Sequence, residues 1–175
     1  MDPVIELVIC SALALLWFTA AVKKAFAFEG FVATLRDYQL VPESTMVPFS
    51  AALVGMEFCF SIGVVLPFTR SFFLLSSAGL FGIYAAAIGI NLFRGRRHID
   101  CGCMGLAQQS LSGWLVWRNL LLAGLALACL LPVQSREFLW LDSISIIFAV
   151  GALVAVYATV NRLIANVPEF ARLRR

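Results

Sequence analysis

The sequence predicts an all-α fold: a polytopic membrane helix bundle of four to five transmembrane helices around a four-helix core, with an amphipathic helix lying in the interface. Three observations predict it. Hydrophobic residues make up 62% of the 175-residue chain and charged residues 13%, against roughly 45–50% and about 25% in soluble domains, and the mean hydropathy is +0.94. Five apolar segments approach 20 residues, the length that crosses a ~30 Å hydrocarbon layer at 1.5 Å per residue. None shows the alternation of a membrane β-strand, so helices must satisfy the backbone in lipid. No Pro-, Ser- or Gly-rich linker or charge run divides the chain, and residues 1–175 read as one transmembrane domain.

The first span, 4–22, ends at Lys23-Lys24. Its acidic start lacks the positive region of a secretory signal; Ala25-Phe26-Ala27 imitates a cleavage site but stands beyond the lysines, so the segment is expected to be retained. In residues 23–44, Phe26, Phe28, Phe31, Leu35, Tyr38 and Leu40 are interleaved with Glu29, Arg36 and Asp37. This pattern predicts the interfacial amphipathic helix, ended by Pro42. The second span, 45–68, is interrupted only by Glu57, and the third, 71–93, carries no charge. The fourth, 113–131, contains Arg118; the fifth, 141–164, has Asp142 near one end and Arg162 near the other. Gly55, Gly63, Gly79, Gly82, Gly89, Gly124 and Gly151 are spread among the spans, where small residues allow close approach of helices. Trp17, Trp114, Trp117 and Trp140 fit interfacial belts.

The net charge of +3 does not indicate a nucleic-acid partner, because nearly all basic residues flank apolar runs and serve as topology signals. With five spans, Lys23, Lys24, Arg36, Arg94, Arg96, Arg97, Arg162, Arg172, Arg174 and Arg175 share one side, against Arg70 and Arg136 on the other. The positive-inside rule makes the first side cytoplasmic and the amino end external.

Reactive groups concentrate in the loop 94–112, around His98, Asp100, Cys101, Gly102, Cys103 and Met104. A bent Cys-Gly-Cys brings its Cα atoms into the roughly 4.4–6.8 Å window of a disulfide, and Gly102 permits the bend. So tight a ring is strained, which is the character of exchange-active disulfides. Arg96, Arg97 and a protonated His98 favour the thiolate, while Asp100 opposes it. Two other readings stay open: a metal clip of His98, Cys101 and Cys103, suited to copper(I) or zinc but one ligand short, and a polar loop without a chemical role. Cys10, Cys59 and Cys129 lie in apolar segments and read as packing residues. All three fall in the halves of their helices remote from Cys101, so a second thiol pair at the opposite end is an alternative. Glu57 and Arg118, the charges well inside spans, are expected to face each other, since an ionisable group in lipid is costly unless paired or wet. They would form a structural ion pair or a polar cavity beneath the cysteines, completed by Asn91 and Asn119.

The interfacial Leu35-Arg36-Asp37-Tyr38-Gln39-Leu40-Val41-Pro42, Glu57 in the second span, Asn91-Leu92-Phe93-Arg94-Gly95-Arg96 closing the third, Asp100-Cys101-Gly102-Cys103-Met104-Gly105, and Trp117-Arg118-Asn119 together resemble the methylamine utilization protein MauE family, within the broader DoxX-like membrane proteins. The likeness covers roughly residues 5 to 132 and is most specific at the cysteine loop and the Arg-Asn pair. It implies a multi-pass protein of the bacterial inner membrane. It also implies a role in maturing methylamine dehydrogenase, whose small subunit needs its disulfides paired outside the cytoplasm, with help from a membrane-anchored thioredoxin-like partner, MauD. The arrangement is also similar to vitamin K epoxide reductase-type bundles, by analogy of architecture only.

The resulting expectation is a thiol–disulfide oxidoreductase with Cys101 and Cys103 as the redox pair, Gly102 as the hinge, and Arg118 with Glu57 as supporting polar groups. No further cofactor is required, and no feature identifies a quinone site. An alternative is a non-catalytic anchor that binds the thioredoxin-like protein through residues 23–44. An oxidative partner outside the membrane calls for the cysteines on the outer face, whereas the charge count places them inside. A relay of electrons across the bilayer, employing Cys59 or its neighbours, would reconcile the two.

Overall fold

A computed structural model describes residues 2–96, 111–133 and 139–173, with side chains described except at 162 and 164–173. The described residues form six α-helices and one 3-10 turn. Helix α1, Pro3–Phe26, starts where Asp2 accepts a hydrogen bond from the Val4 amide at 2.8 Å and Pro3 occupies the first turn, both suited to the unpaired amides of a helix start. It runs four residues beyond the expected span, carrying Lys23 and Lys24 in its last turn.

Helix α2, Phe28–Tyr38, is the expected amphipathic segment, with Phe31 and Tyr38 buried. It ends at Gln39 in the left-handed region (φ 50°), ahead of Pro42, which instead precedes the 3-10 turn Glu43–Thr45. Helix α3, Met46–Gly63, stops five residues short of the expected Phe68. A Cβ on Gly63 would stand 2.1 Å from Cδ2 of Phe73, so glycine here lets the Phe73 ring pack directly against the backbone. Helix α4, Arg70–Phe93, follows. Around Gly55, Gly79, Gly82, Gly89, Gly124 and Gly151 nothing lies within 4 Å of a built Cβ, so close approach applies to Gly63 and not to these.

Helix α5, Gly113–Ala128, is apolar but has only 16 residues, about 24 Å at 1.5 Å per residue. The expected span to 131 is completed by the turn Cys129–Leu131 before Pro132, where a proline disfavours helix in the residue before it. Helix α6, Trp140–Leu173, is the longest. By length and composition α1, Glu43–Gly63, α4 and Trp140–Asn161 can each cross a membrane.

Helix α1 packs along α3, α4 along α5, α2 against α3, and α6 against α1. Lipid gives helices no hydrophobic drive to associate, so fitted side chains must hold them. The fit centres on Trp17, 1% exposed, whose ring stacks on Phe81 (centroids 4.4 Å apart) and meets Phe60 edge-on at 5.4 Å. Trp17 is thus a core residue, not part of an interfacial belt; Trp114, Trp117 and Trp140 are exposed. On α6, Ile147 and Phe148 are more than two-thirds exposed, which suits a helix turned to lipid.

Candidate functional site

The buried stripe of α1 runs through Leu13, Trp17, Ala20, Ala21 and Lys24, positions three and four apart that share one helix face. Lys24 is therefore carried inward, to 3% exposure, while its neighbour Lys23 is only partly buried. The same spacing on α3 sets Glu57 between Val54 and Phe60, fully buried. On α4 it places Tyr84 three residues after Phe81.

These three side chains meet. Lys24 Nζ forms an ion pair and hydrogen bond with Glu57 Oε1, and the Tyr84 hydroxyl donates to the same oxygen at 2.6 Å. Nζ lies 3.3 Å from the Tyr84 oxygen and 4.9 Å from the ring centroids of both Tyr84 and Phe31, within the range of a cation–π contact. Glu57 Oε2 is buried and receives no hydrogen bond. A carboxylate in lipid needs a countercharge, and Lys24 provides it.

The expected pairing of Glu57 with Arg118 is therefore not found, because Lys24 takes the position opposite the carboxylate. Arg118, 6% exposed on α5, donates from Nη1 to Asn161 Oδ1 of α6 at 3.1 Å. Asn119 turns back to the Leu115 carbonyl and Asn91 to that of Ala87. The Asn91 Oδ1 is buried without a hydrogen bond. Instead of one shared polar cavity, Glu57 and Arg118 belong to two separate buried clusters, Lys24–Glu57–Tyr84 and Arg118–Asn161.

Sequence reasoning missed Lys24, Tyr84 and Asn161. For Lys24 the signal was present: counted from Leu13 and Trp17, it continues the apolar stripe and Lys23 does not. Tyr84 and Asn161 carry no comparable mark.

Cys101, Gly102 and Cys103, and with them His98 of the metal alternative, lie outside the described residues. Arg96, at the near edge of this segment, donates to the Asp37 carbonyl at the end of α2 (3.4 Å). Leu111, at the far edge, packs with Tyr38, Ile88 and Leu115. Arg96 and Leu111 thus both stand at the end formed by α2, the carboxyl end of α4 and the amino end of α5. Among the described residues no three His, Cys, Asp or Glu side chains converge as a metal site. Cys59 is exposed on α3, whereas Cys10 and Cys129 are buried.

Four helices able to span a bilayer, a buried Lys–Glu–Tyr cluster and a cysteine-bearing connection define a multi-pass α-helical membrane protein with ionisable groups built into its core. Comparison with known proteins supplies the family. The family model described as methylamine utilisation protein MauE matches residues 2–132. The chain is 40% identical over 136 residues to the methylamine utilization protein MauE of Methylorubrum extorquens, covering 75% of this chain and 73% of that one. It is 34% identical over 134 residues to that of Paracoccus versutus (75% and 72%) and 31% over 128 residues to that of Methylophilus methylotrophus (72% and 67%). The chain belongs to the MauE family. No solved structure matches it significantly.

Proposed function

We propose that this protein is a thiol–disulfide exchange protein of the bacterial inner membrane that works with a MauD-like, membrane-anchored thioredoxin-like partner in maturing the disulfide-rich small subunit of methylamine dehydrogenase. Its redox pair is Cys101 and Cys103, with Gly102 as the hinge. The observation that carries this reading is the Cys-Gly-Cys triplet itself, set in a connection that joins the bundle where Arg96 and Leu111 are fixed.

A partner thiolate attacks the Cys101–Cys103 disulfide, forming a mixed disulfide and releasing one cysteine as thiolate. A second partner thiol then resolves it, so the protein pair is reduced as the partner pair is oxidised; the reverse sequence runs the other way. Arg118 and Glu57 are the supporting groups of this reading, Arg118 as a buried cation on the helix that follows the loop. Glu57 is held in place by Lys24 and Tyr84.

Thiol trapping tests it. Variants retaining only Cys101 and Cys103 are treated in intact cells with a membrane-impermeant maleimide, with and without the thioredoxin-like partner. A redox state that changes with the partner is expected. A redox state indifferent to the partner refutes exchange, and labelling from outside or only after lysis assigns the face.

The anchor reading has one observation in its favour: a shallow, open groove of about 460 Å³ lined by Arg36, Gln39, Leu40, Val41, Pro42, Glu43 and Met46. An anchor keeps its function when Cys101 and Cys103 are both serine, and an exchanger loses it.

A further inference from the structure

At the end of the bundle remote from the Cys101 loop, α1 and the turn after α5 each contribute one thiol to the core. Cys10 is 2% exposed and Cys129 4%, both inside the apolar cluster that contains Leu13, Trp17 and Ala126. The two thiols lie close enough to interact with each other, and neither is bridged. Two residues 119 positions apart in the chain are thus brought together in one buried cluster. Helix geometry presents them: Cys10 continues the α1 stripe of Leu13 and Trp17, and Cys129 lies three residues after buried Ala126.

The same end carries an ion pair, Arg70 Nη1 to Glu6 Oε1 at 2.9 Å, which lies within electrostatic reach of both thiols. Cys59, by contrast, is exposed on α3. Core packing alone accounts for a single buried cysteine; two thiols that interact with each other inside one buried cluster are also placed to react.

We propose that Cys10 and Cys129 form a second redox site, closing to a disulfide that ties α1 to the end of α5. Its oxidant is a disulfide, either on a protein or on a small molecule. One protein thiol, as thiolate, attacks the incoming disulfide and joins one of its sulfurs, releasing the other as a thiolate. The second protein thiol attacks the joined sulfur of its neighbour, completing Cys10–Cys129 and releasing the remaining half. Two protein thiols are oxidised, one disulfide is reduced to two thiols, and the two protons pass from the protein to the departing sulfurs. The ~24 Å length of α5 separates this site from Leu111, at the far edge of the segment that holds Cys101 and Cys103.

The test uses the full chain in detergent micelles with Cys59, Cys101 and Cys103 all changed to serine, so that it is independent of exchange at Cys101 and Cys103. The protein is equilibrated across a series of glutathione disulfide to glutathione ratios, quenched by alkylation and read by intact mass. A form two hydrogens lighter, rising to at least half of the protein across the series and absent from Cys10→Ser and Cys129→Ser, is expected. Two alkylated thiols at every ratio, or single glutathione adducts that never close, overturn the proposal. To separate misfolding of the triple variant from loss of the site, the unsubstituted chain is treated in parallel and digested without reduction. A Cys10–Cys129 cross-linked peptide supports the site; its absence, with both cysteines recovered alkylated, counts against it.

Discussion

Replacing Lys24 by Met removes the countercharge of a carboxylate that is fully buried. Glu57 Oε1 would retain only the Tyr84 hydroxyl at 2.6 Å, and Oε2 already has no donor. Breaking a buried pair by deleting one partner costs about 3–5 kcal/mol, whereas replacing both partners by apolar residues of similar size is often neutral or better. In the double variant the Tyr84 hydroxyl loses one acceptor, worth about 1–3 kcal/mol if nothing replaces it. Lys24→Met and Glu57→Met should therefore each destabilise by about 3–5 kcal/mol, and the double variant by no more than about 3 kcal/mol, a coupling well above the ~0.5 kcal/mol scatter of independent sites. Lys23→Met, one residue away but outside the pair, should change stability by less than about 0.5 kcal/mol. Equilibrium unfolding in mixed micelles measures all four. Additive single effects, or equal effects at Lys23 and Lys24, would refute the claim that Lys24 is the buried partner rather than a headgroup anchor.

Two further substitutions probe how the helices are held. Gly63→Ala sets a methyl 2.1 Å from Cδ2 of Phe73 and should cost about 1–3 kcal/mol as overpacking; if adding Phe73→Ala leaves that cost unchanged, the clash is not its cause. Arg118→Met removes the Nη1 donor at 3.1 Å from Asn161 Oδ1, at a cost of about 1–3 kcal/mol, and hydrogen exchange of α6 around Asn161 should quicken. Unchanged exchange there would mean that α6 does not depend on this contact.

The spans were legible because lipid imposes one strong constraint, length without charge, and α1, α4 and α6 satisfy it openly. Their ends were less so. The second span reads as apolar to Phe68, yet α3 stops at Gly63 and turns follow to Thr69, because hydropathy reports the lipid depth a residue tolerates and not where its helix ends. The buried charges were found but not their pairing. Glu57 and Arg118 invite each other because both stand deep in apolar runs, whereas Lys24 stands beside Lys23 and looks like part of an anchor. Composition cannot separate two adjacent lysines; the rotation of the helix does. Trp17 was misread for the same reason, since a tryptophan near the middle of an apolar run can face lipid, headgroups or core, and only the stripe it shares with Leu13 and Lys24 decides.

That stripe also bears on the relay. Glu6, Cys10, Leu13, Trp17, Ala20 and Lys24 follow one another along the inner face of α1. One end of the bundle therefore has an ion pair beside two thiols, the other an ion pair beside a tyrosine, and between them stands Trp17, stacked on Phe81 and edge-on to Phe60. Cys59, the candidate for an intermediate step, is exposed on α3. Thiol exchange needs sulfurs in contact, so Cys59 offers no stepping stone through the interior. The burial of Lys24 also removes one of the ten positive charges that favoured a cytoplasmic face for the Cys101 loop, because a charge neutralised inside the bundle is not a flanking signal of the kind the rule counts. Both changes bear on the relay in the same direction: if the two thiol pairs exchange as proposed, each does so with a partner at its own end of the bundle.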